Sequence, residues 1–317
     1  MTTAGQASVR LEQPATGVIR LATRGSPQAR AQAGAVADAL AAATGRRTEL
    51  VPVSTMGDRD QSVPLHVIGG LGVFVKEVQQ AVLDGRADVA VHSAKDMPSE
   101  TPDGLVIGAF CERRDCADAL VGRSLADLPH GASVATGSVR RRAQLAAVRL
   151  DLQFIELRGN IESRLDQVPP SGAIVMAVAA LQVLGLTARV TERLDPGKFV
   201  PAVGQGCVAV ESRIDDHEVL AALRAIDHAP TRHAVTVERA FLRQLGSGCL
   251  LPVGAHCADD VLDVFLAPAD PADPASSNQP MQESAVFRER ITLPPSLDAA
   301  SAVSADAARR AKHALGW

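Results

Sequence analysis

A segment in the first third of the chain combines a strand-like run with side chains that can do chemistry. The apolar run Val89–Val91 predicts a buried strand, and Pro98 ends regular structure because proline lacks a backbone N–H. The polar residues between them are His92, Ser93, Lys95 and Asp96. Ligand-binding groups collect beyond the carboxyl ends of strands in open α/β sheets. An ammonium beside a carboxylate there predicts a chemical centre, and the alternative is a solvated surface turn.

Basic side chains recur at equivalent places in the chain. Each comes at or soon after the end of a predicted strand, as Lys95 does. They are Arg24, Arg140, Arg141, Arg158 and Arg164. A doubly wound topology brings such positions to one rim. Arginine binds carboxylates through paired hydrogen bonds and stays charged, so the pattern predicts a small ligand rich in carboxylate or phosphate groups.

Two alternating series of strands and helices must position these side chains. Strands are predicted at residues 19–22, 50–53, 89–91, 105–108, 134–135, 154–157, 173–177 and 208–210, with a hinge near residues 111–118. Ser26 is suited to cap a helix that has Pro27 at its first position, which makes that helix start an anion site. The alternation is typical of mostly parallel sheets covered by helices.

The last third of the chain has a different character. Helices are predicted at 235–245 and 299–315 and strands at 261–266 and 286–293, with a low-complexity Pro/Ala/Asp-rich loop at 267–284. This composition predicts a small α+β domain.

Composition restricts the functions that the chain can have. Aromatic residues make up 3% and the net charge is −4, which argues against a stacking platform for nucleic acid and against general attraction to nucleic acid or anionic membranes. Neither a membrane-spanning run nor an apolar signal sequence is apparent. The five cysteines have no framework or zinc-site spacing, so we expect a reducing, cytoplasmic setting and no metal. Cys249 follows a Gly-rich turn, and its own neighbourhood leaves open whether it is a buried apolar residue or a reactive thiol.

Taken together in this order, eight motifs resemble those of the porphobilinogen deaminase family. The resemblance runs from about residue 18 to residue 254. The matching segments are I-R-L-A-T-R-G-S-P from Ile19, G-D-R-D from Gly57, G-V-F-V-K-E from Gly72, D-V-A-V-H-S-A-K-D-M-P from Asp88, S-V-R-R-R-A-Q-L from Ser138, L-R-G-N-I-E-S-R-L from Leu157, P-A-V-G-Q-G from Pro201 and E-R-A-F-L-R-Q-L-G-S-G-C-L-L-P-V-G from Glu238.

The resemblance implies a fold with two doubly wound domains, similar to those of periplasmic binding proteins, and a cleft between them. A small C-terminal α+β domain follows. The implied divisions are a flexible lead at 1–17, domain 1 at 18–114 with 208–228, domain 2 at 115–207 and domain 3 at 229–317.

The resemblance also implies an activity. Such an enzyme, a transferase (hydroxymethylbilane synthase), joins four porphobilinogen molecules head to tail, releases ammonia and yields linear hydroxymethylbilane for haem, chlorophyll or cobalamin. By position Asp96 is the catalytic carboxylate, and Cys249 carries a dipyrromethane cofactor through a thioether. The implied cofactor-binding residues are Lys95, Ser93, Arg140, Arg141 and Ser138, and the implied substrate-binding residues are Arg24, Ser26, Arg158, Arg164 and Phe74. We expect a cytoplasmic monomer that uses neither metal nor nucleic acid.

The chain departs from the family pattern in a few places. Leu71, Gln182 and Val183 stand where basic residues are usual, and the Gly-rich loop at 54–72 is the expected lid. The main alternative is a small-anion-binding protein of the same two-domain fold without chemistry, or a degenerate family member. A nucleotide-using Rossmann enzyme is disfavoured because no G-x-G-x-x-G follows a predicted strand.

Overall fold

The computed structural model describes residues 17–55, 75–246, 251–268 and 286–316. Its strands form two five-stranded sheets and one three-stranded sheet. Both five-stranded sheets are covered by helices, which confirms the predicted α/β class. A search of the described helices finds none with the length and apolar character needed to span a membrane.

The first sheet has the strand order β2-β1-β3-β10-β4. Strand β1 is parallel to β2 and β3, and β10 runs antiparallel to β3 and β4. The central strands are buried on both faces, which is why they read as continuous apolar runs. The five strands are β1 (Val18–Arg24), β2 (Arg47–Val53), β3 (Val89–Ser93), β4 (Leu105–Phe110) and β10 (Val208–Arg213).

Helices pack on both faces of this sheet. Helix α1 (Pro27–Thr44) begins where the Ser26 hydroxyl accepts a hydrogen bond from the Ala29 N–H at 3.3 Å. It shares one apolar core with α6 (His217–Arg224) and β1. Helix α2 (Lys76–Leu83) packs against the opposite face. The sheet is therefore doubly wound, and the predicted capping of α1 is confirmed.

The second sheet repeats the plan, with the order β7-β6-β8-β5-β9. Its strands are β5 (Asp118–Val121), β6 (Ser133–Ala135), β7 (Gln153–Ile155), β8 (Ala173–Ala177) and β9 (Glu192–Arg193). The helices that connect them are α3 (Val139–Val148), α4 (Ile161–Leu165) and α5 (Val178–Val183). Separate apolar cores lie on its two faces. Again three strands run parallel and one inner strand, β5, is antiparallel to both neighbours. Sequence analysis did not predict β5, β9 or α6.

Two chain segments, residues 111–117 and 194–207, connect the two five-stranded sheets. Glu238 joins both segments to the third sheet. Arg113 donates to its two carboxylate oxygens at 2.6 and 3.2 Å, and the Gly204 N–H donates at 2.7 Å. Burial raises the pKa of Glu238, but Arg113 and His256 together outweigh burial and the pKa falls to about 2. This ionised carboxylate therefore fixes the point where the three sheets meet.

The third sheet is antiparallel and packs against two long helices. Its strands are β11 (Val253–Ala258), β12 (Val261–Leu266) and β13 (Phe287–Thr292). Helix α7 (Ala229–Leu245) lies along α8 (Leu297–Ala314), and Phe241 is fully buried between the helices and the sheet. The predicted small α+β unit is therefore present. Most of the low-complexity loop lies outside the described residues.

Candidate functional site

The segment that carries Lys95 and Asp96 is a single 3₁₀ turn, Ala94–Asp96, directly after β3. The Ala94 N–H donates to the Cys207 carbonyl at 2.9 Å, and the side chain of Met97 is buried in the core below. These contacts hold the turn at its start and its end. Lys95 and Asp96 remain half-buried, so the solvated surface turn that the sequence left open is wrong.

The Lys95 ammonium lies in a crowded electrostatic environment. Burial lowers its pKa to about 8; the charges of Arg140 and Arg141 act in the same direction, and those of Asp96 and Asp118 oppose it. The structure therefore places the ammonium next to the predicted catalytic carboxylate and within range of the arginines of the second sheet.

Those arginines project from the start of α3. Ser138 caps this helix by accepting a hydrogen bond from the Arg141 N–H at 3.4 Å. Arg140 and Arg141 follow at once and are both buried. Arg140 also donates to the Val200 carbonyl at 2.7 Å, and Arg141 to the Val175 carbonyl at 2.9 Å. The sequence predicted both side chains at this strand end, which the structure confirms.

A buried carboxylate that sequence analysis did not select holds the two arginines together. Asp118 Oδ1 lies 2.7 Å from Arg141 Nη2, and Asp118 Oδ2 lies 2.8 Å from Arg140 Nη2. Gln205 Nε2 donates to Oδ1 at 3.0 Å. Burial raises the pKa of Asp118, but the two arginines outweigh burial and lower the pKa to about 2. The one feature of the sequence that could have identified Asp118 is its position, because it is an acidic residue at the predicted hinge, directly before the apolar run Ala119–Val121.

Arg158 reaches the same region from the segment between β7 and α4, and Arg164 reaches it from α4 itself. The turn depends on Gly159, whose φ of +106° suits glycine. Arg164 Nε donates to the Gly159 carbonyl at 2.8 Å. Burial lowers the pKa of Arg164 to about 10, helped by Arg141 and Arg158 and opposed by Asp96. Asp96, Arg141 and Arg158 therefore all lie within electrostatic range of Arg164.

Arg24 ends β1, and Ser26 caps α1. Because β1 and β3 are parallel, both residues lie at the same sheet edge as Ser93. The Ser93 hydroxyl donates to Gln32 Oε1 on α1 at 3.0 Å.

A cleft separates the two sheets at this edge. On the first sheet's side the lining residues are Gln28, Gln32, Ser93 and Lys95. On the second sheet's side they are Ala177 at the end of β8 and Ala179 and Ala180 on α5. Gln28 and Gln32 were missed by sequence analysis, although two glutamines spaced i, i+4 in an Ala-rich helix are the signal that marks them.

The remaining predicted residues cannot be placed. Phe74, Leu71 and Cys249 lie outside the described residues. Within the described ranges, no group of three or more His, Cys, Asp or Glu side chains is arranged to hold a metal ion. The described site is therefore a cleft that Lys95 lines, with the half-buried Asp96 next to Lys95 and the buried pairs of Asp118 with Arg140 and Arg141 within electrostatic range.

Several known proteins are similar to this chain in sequence. A family model described as "Porphobilinogen deaminase, dipyromethane cofactor binding domain" matches residues 19–221. The porphobilinogen deaminase of Syntrophobacter fumaroxidans is 45% identical over 245 residues, which cover 75% of this chain and 79% of that protein. That of Nitratidesulfovibrio vulgaris is 46% identical over 242 residues, covering 74% and 76%. Among solved structures, immunogenic lipoprotein A from Vibrio vulnificus is 13% identical, with a TM-score of 0.42 over 69% of this chain and 99% of that one. The chain belongs to the porphobilinogen deaminase family.

Proposed function

We propose that the cleft between the two five-stranded sheets is where this family's reaction takes place. Membership of the family gives the activity: porphobilinogen units are joined head to tail into linear hydroxymethylbilane, in porphyrin biosynthesis. The assignment of roles to individual residues rests on one observation. Two carboxylates near Lys95, those of Asp96 and Asp118, lie in contrasting environments, which supports different roles for them.

Asp118 is engaged in the fold. It is fully buried and neutralised by Arg140 and Arg141. Asp96 is half-buried, and in the described part of the chain no ion pair engages it. Asp96 is therefore available to interact with the substrate, beside Lys95 and Arg164.

The cleft suits a cofactor with acetate and propionate groups. Cations outnumber carboxylates there, and guanidinium, ammonium and hydroxyl groups are the donors that carboxylates accept from. Arg140 and Arg141 each have five N–H donors, and those not used by Asp118 or the backbone carbonyls can face the cleft. Ser93, Lys95, Ser138, Arg140 and Arg141 would hold dipyrromethane, which supplies the pyrrole carbon to which the first substrate is joined. Arg24, Ser26, Arg158 and Arg164 would hold substrate carboxylates.

Asp96 would act on the positive charge that develops in the substrate. Loss of ammonia from porphobilinogen leaves an electron-poor azafulvenium cation. A fixed anion placed where that charge forms lowers the barrier, because it needs no reorganisation during the reaction. The carboxylate would also accept hydrogen bonds from pyrrole N–H groups and move their protons. The surrounding arginines and Lys95 hold the acidic side groups in place.

Substituting Asp96 tests this role. We expect Asp96→Asn to fold normally and to lose roughly 10²-fold or more in kcat, the usual loss when one group that stabilises transition-state charge is removed. Asp103→Asn, which neutralises an exposed carboxylate a short distance along the chain, is the matched control and should retain the full rate. Near-normal turnover by Asp96→Asn would show that Asp96 is not the reacting carboxylate. Saturable binding of porphobilinogen by the wild-type chain without its consumption would favour an anion-binding protein instead.

The attachment point is proposed to be Cys249. Three of the described thiols are poor alternatives, because burial raises the pKa of Cys111 to about 11 and of Cys257 to about 12 and raises that of Cys207 as well. The intact mass of the denatured protein should exceed the sequence mass by two linked pyrrole units, carried on the peptide with Cys249. Cys249→Ser should lack this addition, whereas Cys257→Ser should keep it. An adduct that persists in Cys249→Ser would place the attachment elsewhere.

Three broader features complete the proposal. The enzyme would be a transferase, since it moves a pyrrolylmethyl group onto a growing chain, and it would act as a cytoplasmic monomer. The three sheets would correspond to domain 1 (18–114 with 208–228), domain 2 (115–207) and domain 3 (229–317). Limited proteolysis and sedimentation measurements test the boundaries and the oligomeric state.

A further inference from the structure

We propose that Glu211, a fully buried carboxylate behind the reactive turn, is a positioning residue for this reaction. It would act through His92 and Arg239, which hold the two ends of the segment that carries Lys95 and Asp96. The inference rests on the proposed role of Asp96.

The register of β3 and β10 brings Glu211 to His92. Ala209 is paired with His92, and Glu211 with Ala90, so the side chains of His92 and Glu211 lie on the same face as diagonal neighbours. Glu211 Oε2 lies 3.1 Å from His92 Nε2, with side-chain exposures of 0% and 3%. His92 immediately precedes Ser93, the last residue before the 3₁₀ turn.

A second side chain reaches the same carboxylate from α2. Gln79 Nε2 donates to Glu211 Oε2 at 2.8 Å. The other oxygen, Oε1, is buried and has no hydrogen-bond partner among the residues that the structure describes. The Gln79 amide therefore orients the carboxylate, and the His92 imidazole packs against the same oxygen without forming a hydrogen bond.

The far end of the turn is tied to the same cluster by α7. Arg239 Nη2 donates to the carbonyls of Pro98 and Ser99 at 2.9 and 3.1 Å. Arg239 is buried and interacts electrostatically with Glu211, which opposes the lowering of its pKa by burial and by Arg243. Arg239 therefore holds the chain just after the turn and lies within electrostatic range of Glu211, and His92 contacts Glu211 just before the turn.

Stability alone does not explain a carboxylate at this position. The neighbouring side chains of Ala90 and Val210 are fully buried, and an apolar residue at 211 would extend the core. Replacing buried charged groups by apolar ones is often neutral or stabilising, and here Glu211 Oε1 has no hydrogen-bond partner among the described residues. A buried carboxylate can instead favour one arrangement of the groups that it contacts. The arrangement favoured here is that of the turn bearing Asp96. A displacement of about 1 Å at a reacting group can cost about 100-fold in rate.

The test compares Glu211→Gln with Asp88→Asn in the full, primed enzyme. Asp88 lies just before β3, at the end away from the turn, and binds Arg20 at 2.8 Å. Both variants remove a carboxylate held next to the same strand. We expect Glu211→Gln to acquire the cofactor mass, keep KM for porphobilinogen within about threefold, and lose between about 10- and 100-fold in kcat per primed molecule. Asp88→Asn should lower the melting temperature and leave kcat per primed molecule unchanged.

Two results would overturn the inference: wild-type kcat in Glu211→Gln, or equal losses of kcat in both variants. If Glu211→Gln does not fold, His92→Gln should show the same kcat loss, and normal turnover there would refute the proposal. Where all variants fold, the double variant should be no slower than the slower single one, because both changes break one connection. An inactive Asp96→Asn beside a fully active Glu211→Gln would refute this inference alone, whereas an active Asp96→Asn would refute the assignment on which it rests.

Discussion

Replacing Asp118 by asparagine should reveal how strongly the fold depends on charge pairing beneath the cleft. The amide keeps the size of the carboxylate but removes its charge and turns one acceptor into a donor. Arg141 Nη2 at 2.7 Å and Arg140 Nη2 at 2.8 Å would then face a neutral group. Two guanidinium ions would be left buried without their counter-ion, the situation that costs most in protein interiors.

The magnitude follows from the pKa of the carboxyl group. Its fall from 3.8 to about 2 corresponds to roughly 2 kcal/mol of extra stability for the ionised form, at about 1.4 kcal/mol per pKa unit. Removing one partner of a buried ion pair typically costs about 3–5 kcal/mol, because the remaining charge stays desolvated. We therefore expect Asp118→Asn to lose about 3 kcal/mol. At about 2–4 °C per kcal/mol for a large domain, the melting temperature should fall by roughly 6–12 °C.

The pH dependence has a definite sign. Because folding lowers the pKa of Asp118, its contribution is present above pH 4 and is lost as the pH falls toward 2. Calorimetric melting of wild type and Asp118→Asn should therefore show a gap at pH 7 that narrows in acid. Asp306→Asn, which removes a half-exposed surface carboxylate, should melt close to wild type. Equal melting temperatures at pH 7, or a gap that does not change with pH, would refute the reasoning.

Two further predictions concern the turn itself. Burial lowers the pKa of Lys95 to about 8, so the ammonium loses its proton above that pH and KM for porphobilinogen should rise there. In Lys95→Arg the side chain stays charged, so KM should change less between about pH 7 and 9.5. If the pH profiles of KM for the wild type and the variant are parallel, Lys95 does not bind a substrate carboxylate. In Gly204→Ala the new methyl carbon would lie 2.9 Å from the Ala94 Cβ, at a φ of +70°. Melting temperature and kcat should both fall, whereas Gly85→Ala, at a φ of +72° with nothing within 4 Å, should lower stability alone.

Local rules explain the parts of the site that the sequence predicted. Ser26 and Ser138 are helix caps because a hydroxyl accepts from a backbone N–H within its own first turn, a contact encoded within three residues. Arg140, Arg141 and Arg158 follow strand ends, and parallel strands bring their ends to one edge. These positions could be predicted because they depend on neighbours in the chain.

Long-range contacts explain what was missed. Strand β5 was not predicted, because its four residues pair with residues 174–177, more than fifty positions away. Asp118, at its start, resembles any acidic residue in a link until the fold surrounds it with Arg140, Arg141 and Gln205. Glu211 likewise becomes informative only through the register that sets it beside His92. None of these contacts has a signature within a single stretch of sequence.

The cleft also explains how a chain of net charge −4 can be selective for carboxylates. Its cations are crowded and partly desolvated, and the lowered pKa values of Lys95, to about 8, and Arg164, to about 10, record the cost of keeping them charged. Asp118 lowers that cost beneath the cleft without entering it. Under the proposed assignment, a bound carboxylate supplies the missing counter-charge, so we expect binding to raise both pKa values. The cost of keeping these side chains charged in the empty site is therefore relieved by a polycarboxylate ligand and not by a neutral one.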